Sequence, residues 1–249
     1  MSTTTIGLVI IGLAAILLTG TSILFNKSIN YSTRRMPAVE RLKSARIAAL
    51  EQGAKSGIVL GNHLWAIPYH GLGLHPLTIL PNLTGGETMM KGSQEIYGGD
   101  GSLVVFARQI LSGKYLQGYS EGLANPDEHV FLPGPTPLTF TAGILPVLSM
   151  KQTRSLFLSG SFGPESLLWS EAGLSNGAAV FAAAGSMTSQ AVLYGAVRDI
   201  LLGEEVYMLP GLLSPSSSNK GGWLTEDVLR IALILMLLLG AVLKLAGVL

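Results

Sequence analysis

The chain has no cysteine. That absence excludes disulfide frameworks, thiolate zinc sites, iron–sulfur clusters and cysteine nucleophiles. Charge is scarce as well. Asp, Glu, Lys and Arg make up 12% of the residues, about half the share of an average soluble domain. A disordered chain is thereby excluded, because disorder goes with a polar, charge-rich composition. The 16 basic residues nearly cancel the 15 acidic ones, leaving a net charge of +1. No basic field follows from that balance, so nucleic acid is not an expected partner. What is present instead is apolar: 48% of 249 residues, with 31 glycines and a mean hydropathy of +0.48. That is enough chain for one domain of ordinary size.

Two apolar runs bracket the sequence. Residues 6–25 carry no charge, and roughly 20 residues at 1.5 Å rise match a 30 Å hydrocarbon core. No basic residue precedes the run and no A-x-A site follows it, which argues for a retained anchor over a cleaved signal. Residues 228–249 form the second run. Trp223, Arg230 and Lys244 sit where interfacial anchors belong, and Thr225, Glu226 and Asp227 suit the start of a helix. Both runs read as transmembrane helices, making two bitopic anchors. Lys27, Arg34, Arg35, Arg41, Lys43, Arg46 and Lys55 follow the first run, whereas residues 1–5 carry no basic side chain. The positive-inside rule then predicts an inner (cytoplasmic) membrane protein with the central domain cytoplasmic and both termini extracytoplasmic. The expected division is an N-terminal transmembrane helix over 1–27, a basic juxtamembrane helix over 28–56, an α/β domain over 57–213, a flexible linker over 214–224 and a C-terminal transmembrane helix over 225–249. Within 28–56 the helix itself reads as residues 37–52, its basic side chains facing either anionic headgroups or plain solvent.

Between the runs one phrase recurs. A short apolar segment ends in small residues and a helix-compatible segment follows. The strand candidates are residues 56–61, 95–97, 129–132, 155–158, 179–183 and 200–202. The helices between them read as 103–119, 138–148, 166–173 and 190–197, and residues 62–92 resist assignment. Continuous apolar strands alternating with helices predict a parallel sheet buried on both faces, with right-handed crossovers. The predicted fold is α/β: an open, mostly parallel, doubly wound (Rossmann-like) sheet domain flanked by two transmembrane helices. Helix starts also show local chemistry. Asp100 or Ser102 can cap after 98–102, and Ser186 is an N-cap. Pro164 suits the first helical position and Glu165 the positive end of a helix dipole. Met150 and Met187 read as gap-filling core side chains.

Chemistry is harder to find. Ser159-Gly160-Ser161-Phe162-Gly163 has the setting of a nucleophile elbow, with Ser159 in place of the first glycine. None of the four histidines, His63, His70, His75 and His129, follows it in the chain. A tight turn of small residues is the simpler account. His63, His70 and His75 form a candidate metal cluster, but their spacings of seven and five fit no helical pair, so loop histidines are the preferred reading. Gly71-Leu72-Gly73 starts like a dinucleotide fingerprint, with Pro76 in the third glycine's place. Gly203-Glu204-Glu205 places two acids side by side, where a strand would turn them to opposite faces. They read as an acidic rim or as partners of Arg198. For a ligand at the carboxyl ends of the strands, the candidate residues are Asp100, Ser161, Gly163, Glu165, Ser186 and Glu204. No catalytic residue, cofactor or metal is assigned.

Residues 155–211 carry a family resemblance. Gly160-Ser161-Phe162-Gly163-Pro164-Glu165, Ser170-Glu171-Ala172-Gly173, Leu193-Tyr194 and Leu202-Gly203-Glu204-Glu205-Val206-Tyr207 resemble a domain-of-unknown-function family of membrane-attached bacterial and archaeal proteins. The resemblance implies a membrane-anchored α/β domain and no particular reaction. Two functions remain open. One is a non-catalytic structural or scaffolding subunit that self-associates into a homo-oligomer or docks on other subunits of a complex at the lipid membrane. Its warrant is the low charge, which suits a domain that hides surface in an interface. The alternative is a small-ligand domain, for a nucleotide or other anion, or an enzymatic one, working at the carboxyl ends of the strands.

Overall fold

The computed structural model describes residues 12, 19–20, 36–61, 75–84, 94–116, 129–150, 153–214 and 217–245. They fall into two compact units. One is residues 36–213, and the other combines residues 1–35 with residues 214–249.

The larger unit is an α/β domain. It begins with α1 (Pro37–Glu51) and β1 (Lys55–Leu60), then α2 (His75–Leu83), β2 (Gln94–Gly98) and α3 (Gly101–Leu116). The short strand β3 (Val130–Phe131) leads to α4 (Pro137–Ser149), β4 (Thr153–Gly160), α5 (Ser166–Ser175) and β5 (Ala179–Ala184). Then come α6 (Met187–Ala196), β6 (Asp199–Leu201) and α7 (Glu205–Leu213). The six strands form one sheet in the order β3-β2-β1-β4-β5-β6, and every neighbouring pair is parallel. Strand order reverses between β1 and β4, the switch point of a doubly wound sheet.

Alternation along the strands divides the core in two. Ile58, Leu60, Ile96, Phe157 and Phe181 point to the face packed by α1, α2, α3 and α7. Val59, Tyr97, Leu156, Leu158 and Val180 point to the face packed by α4, α5 and α6. Trp169 of α5 is fully buried on this second face. Its ring meets Phe140 at 5.0 Å and Phe162 at 5.4 Å, both edge to face, and its indole N–H donates to Thr141 Oγ1 at 3.1 Å. The indole thus buries its apolar body while its one polar atom is satisfied.

Several expectations need correction. Helix α1 belongs to the domain: Val39, Leu42 and Ala49 are buried. Its basic side chains are used inside the domain. Arg41 pairs with Asp199 at 2.5 Å, and Lys43 Nζ donates to Leu212 O at 3.4 Å. Arg46 donates to Leu83 O, a carbonyl at the C-terminus of α2, where a cation is favoured. Burial pushes the Arg46 pKa down to about 10. Lys55 pairs with Glu95 across β1 and β2 at 2.5 Å. Four of the seven basic residues behind the positive-inside argument are therefore fold contacts. Residues 62–92, left unassigned, contain α2, whose Leu77, Ile79, Leu80 and Leu83 are buried. Met150 and Met187 fill no gap and are exposed. Pro164 precedes α5 by two residues, because the turn over residues 163–166 comes first.

The other unit contains α8 (Ser217–Leu245). Its helix begins inside the stretch read as linker. Among the described residues no helix is long and apolar enough to cross a membrane. The expected flanking transmembrane helices, the bitopic two-span arrangement and the inner-membrane placement are corrected accordingly. α8 carries charge at both ends of its apolar stretch. Glu226, Asp227 and Arg230 form a charged turn, with Arg230 at 3.8 Å from Glu226 and 3.9 Å from Asp227. Between Arg230 and Lys244 only residues 231–243 are uncharged, about 20 Å of helix against a hydrocarbon core of about 30 Å. Trp223 is half-buried and Lys244 exposed. Apart from Gly12, Thr19 and Gly20, the run at 6–25 lies outside the described residues.

Candidate functional site

In doubly wound sheets ligands bind beyond the carboxyl ends of the strands, at the switch point. Here that place is where β1 and β4 end. Their backbones meet there. Gly61 N–H donates to Ser159 O at 2.9 Å, and Gly185 N–H donates to Gly160 O at 2.9 Å. Gly160 has φ +134, and a Cβ on it would lie 2.5 Å from Gly61 N and 3.2 Å from Pro76 Cγ. A Cβ on Gly61 would lie 2.5 Å from Ser161 N. Both positions need glycine for close approach, and Gly160 needs it for its φ as well. The base of the switch point is thus closed by backbone and by the first turn of α2.

The turns around it use their own polar groups. After β2, Asp100 Oδ1 accepts from Ser102 N–H at 2.8 Å and also from the Ser102 hydroxyl. Before α4, Thr136 and Thr139 form a reciprocal capping box. Before α5, Glu165 Oε1 accepts from Gly163 N–H at 2.9 Å. Before α6, Ser186 Oγ accepts from Ser189 N–H at 3.1 Å and donates to Phe162 O at 2.6 Å. A free helix N-terminus attracts anions because its first N–H groups lack partners. At α3, α4, α5 and α6 an internal oxygen already takes one of them or an amide of the preceding turn.

The candidate residues are therefore grouped but committed. Ser186 joins the β5–α6 turn to the β4–α5 turn that holds Ser161, Gly163 and Glu165. Asp100 lies in the separate turn after β2, and Glu204 lies exposed in the turn before α7. Ser161 is buried, and Phe162 beside it packs on Trp169. An elbow nucleophile needs an exposed hydroxyl and a histidine. His129 precedes β3, the edge strand, three strands away from β4, which leads into Ser161. Among the described residues no three His, Asp or Glu side chains gather as metal ligands. His63 and His70 lie outside the described residues. His75 opens α2, packs edge to face on Tyr207 at 5.4 Å, and has Nε2 at 3.4 Å from Tyr207 O. Burial lowers its pKa below the ordinary value, partly opposed by that carbonyl.

Residues of this region that sequence reading missed are Gly61, Gly160 and Pro76. The available signal was a glycine just beyond β1 and another closing β4, the two strands that a doubly wound order makes neighbours.

The family model for the domain of unknown function DUF6754 matches residues 2–249. The chain belongs to that family. No curated protein and no solved structure matches it.

Proposed function

We propose that the α/β domain is a non-catalytic assembly module that self-associates through an apolar rim at the carboxyl end of its sheet. The observation carrying this reading is where three side chains stand. Leu138, Leu168 and Met187 are 80%, 51% and 83% exposed. Each lies in the first turn of its helix, on α4, α5 and α6 respectively. These helices neighbour one another on one sheet face, and their first turns open at the same end of the sheet. A single exposed leucine is ordinary, but apolar side chains repeated on adjacent helix ends form a patch of the kind that marks interfaces. The internal capping of the same turns adds support, because each capping oxygen already occupies an amide that a small anion would otherwise use.

The test is sedimentation velocity of the full-length chain over a concentration series, compared with the double variant Leu138→Asp/Met187→Asp. The expected outcome is reversible association of the unaltered chain. The variant should bind itself at least ~100-fold more weakly, since burying two new carboxylates opposes contact, with its circular dichroism unchanged. A chain that stays monomeric at ~100 μM, above ordinary working affinities, overturns the reading. So does a variant that associates as well as the unaltered chain.

A further inference from the structure

A separate groove lies on the same sheet face, at its β3 edge. It has a volume of about 310 Å³. Its floor is Glu95 and Tyr97 of β2 and Phe131 of β3, and Leu132 and Pro133 form its rim. Gly143 and Val147, one turn apart on α4, form the far wall. The groove exists because α4 buries Phe140, Ile144 and Leu148 in the core over β1 and β4. Its Gly143–Val147 side is left facing the outermost strands. Gly143 also keeps the wall close to the rim: a Cβ there would lie 2.6 Å from Pro133 O.

The groove has one apolar and one polar feature. Tyr97 and Phe131 are stacked, with ring centroids 6.0 Å apart and planes 29° apart. At the polar end, Glu95 Oε1 accepts from Lys55 Nζ at 2.5 Å and Oε2 accepts from the Tyr97 hydroxyl. Each carboxylate oxygen has a second lone pair, and the Glu95 side chain retains 14% exposure.

We infer that this groove binds a small, uncharged, planar ring compound bearing an N–H donor, with the ring against Tyr97 and Phe131 and the N–H on Glu95. Aromatic walls favour a planar ring. Lys55 already balances the Glu95 charge, so a cation gains little there, and an anion meets the carboxylate. Size sets the rest: a cavity of about 150 Å³ holds one benzene ring, so this one suits two fused rings. The inference does not depend on the self-association reading, since its residues are not those of the rim.

The test uses indole and benzofuran, which share shape and differ in carrying N–H or ring oxygen. The full-length chain with labelled Leu and Val methyl groups is titrated with each by NMR. Indole is expected to saturate, with shifts centred on Val147 and Leu132. Benzofuran should bind about tenfold more weakly, the loss of one hydrogen bond to a charged acceptor. Val147→Trp, which fills the groove, should abolish the indole shifts while the remaining spectrum is kept. No saturation, equal affinity for the two rings, or shifts centred elsewhere overturns the inference. If Val147→Trp does not fold, the ring pair on the unaltered chain decides alone.

Discussion

The contact between Gly61 and Gly160 predicts a large effect from one methyl group. In Gly160→Ala an L residue must hold φ +134, and its Cβ must share space with Gly61 N at 2.5 Å and Gly61 Cα at 2.6 Å. The backbone strain costs about 1–3 kcal/mol. The overlap is with backbone, which cannot swing aside, and overpacking of that kind costs about 1–3 kcal/mol more. Relief by separating the strands would stretch the Gly61–Ser159 and Gly185–Gly160 hydrogen bonds. Alanine also narrows the unfolded ensemble, which offsets about 0.5 kcal/mol. The net expectation is a loss of ~4 kcal/mol, or a melting temperature lower by ~12 °C at about 3 °C per kcal/mol. Gly53→Ala separates the two causes. Gly53 also has positive φ, at +63, but a Cβ there meets nothing within 4 Å. It should lose only ~1 kcal/mol, or ~3 °C. Thermal melts of the unaltered chain and both variants by circular dichroism provide the comparison. If Gly160→Ala melts together with Gly53→Ala, the Gly61–Gly160 backbone contact does not close the switch point in solution.

Other outcomes follow from the same structure. Trp169→Phe should lower stability by about 1–3 kcal/mol in urea unfolding, because it removes part of a buried ring and leaves Thr141 Oγ1 without its donor. Thr141→Val should cost less in that background than in the unaltered chain, its remaining cost there being the hydroxyl's bond to Pro137 O at 2.7 Å. His75 has a pKa depressed below 6.5 in the fold, chiefly by burial. The unfolded chain therefore binds the proton more readily. Stability should be full above pH 6.5 and fall as pH drops below it, levelling off beneath the folded-state pKa. His75→Phe should remove that part of the pH dependence, and an unchanged profile would remove His75 as its source.

Much of the domain was legible in the sequence because its signals are local. A four-to-six-residue apolar run reads as a buried strand wherever it pairs, and both β4 and β5 declared themselves that way. Ser186 and Asp100 cap their helices through bonds to residues two or three positions away, so their roles were visible too. Strand boundaries shifted by a residue or two, since hydrogen bonding to neighbours decides where a ladder stops. Helix α2 escaped because Pro76 and Pro81 resemble breakers. In the structure Pro76 stands at the second helical position, where its missing N–H is harmless.

The α/β class of the central domain, its alternation of strands and helices, its caps and the absence of thiol chemistry all depend on residues close together in the chain and could be read there, whereas the flanking transmembrane helices read from the same chain were not borne out. Tertiary structure alone decided which partner each charge takes. Arg41 meets Asp199, and Lys55 meets Glu95, so charges that suggested a membrane topology proved to be ties within the domain. It also decided that Gly61 meets Gly160, that Glu95, Tyr97, Phe131 and Val147 enclose one groove, and that three exposed apolar side chains stand on adjacent helix ends. Each of these depends on strand order and on which helix covers which face, and those are set by packing the whole chain at once.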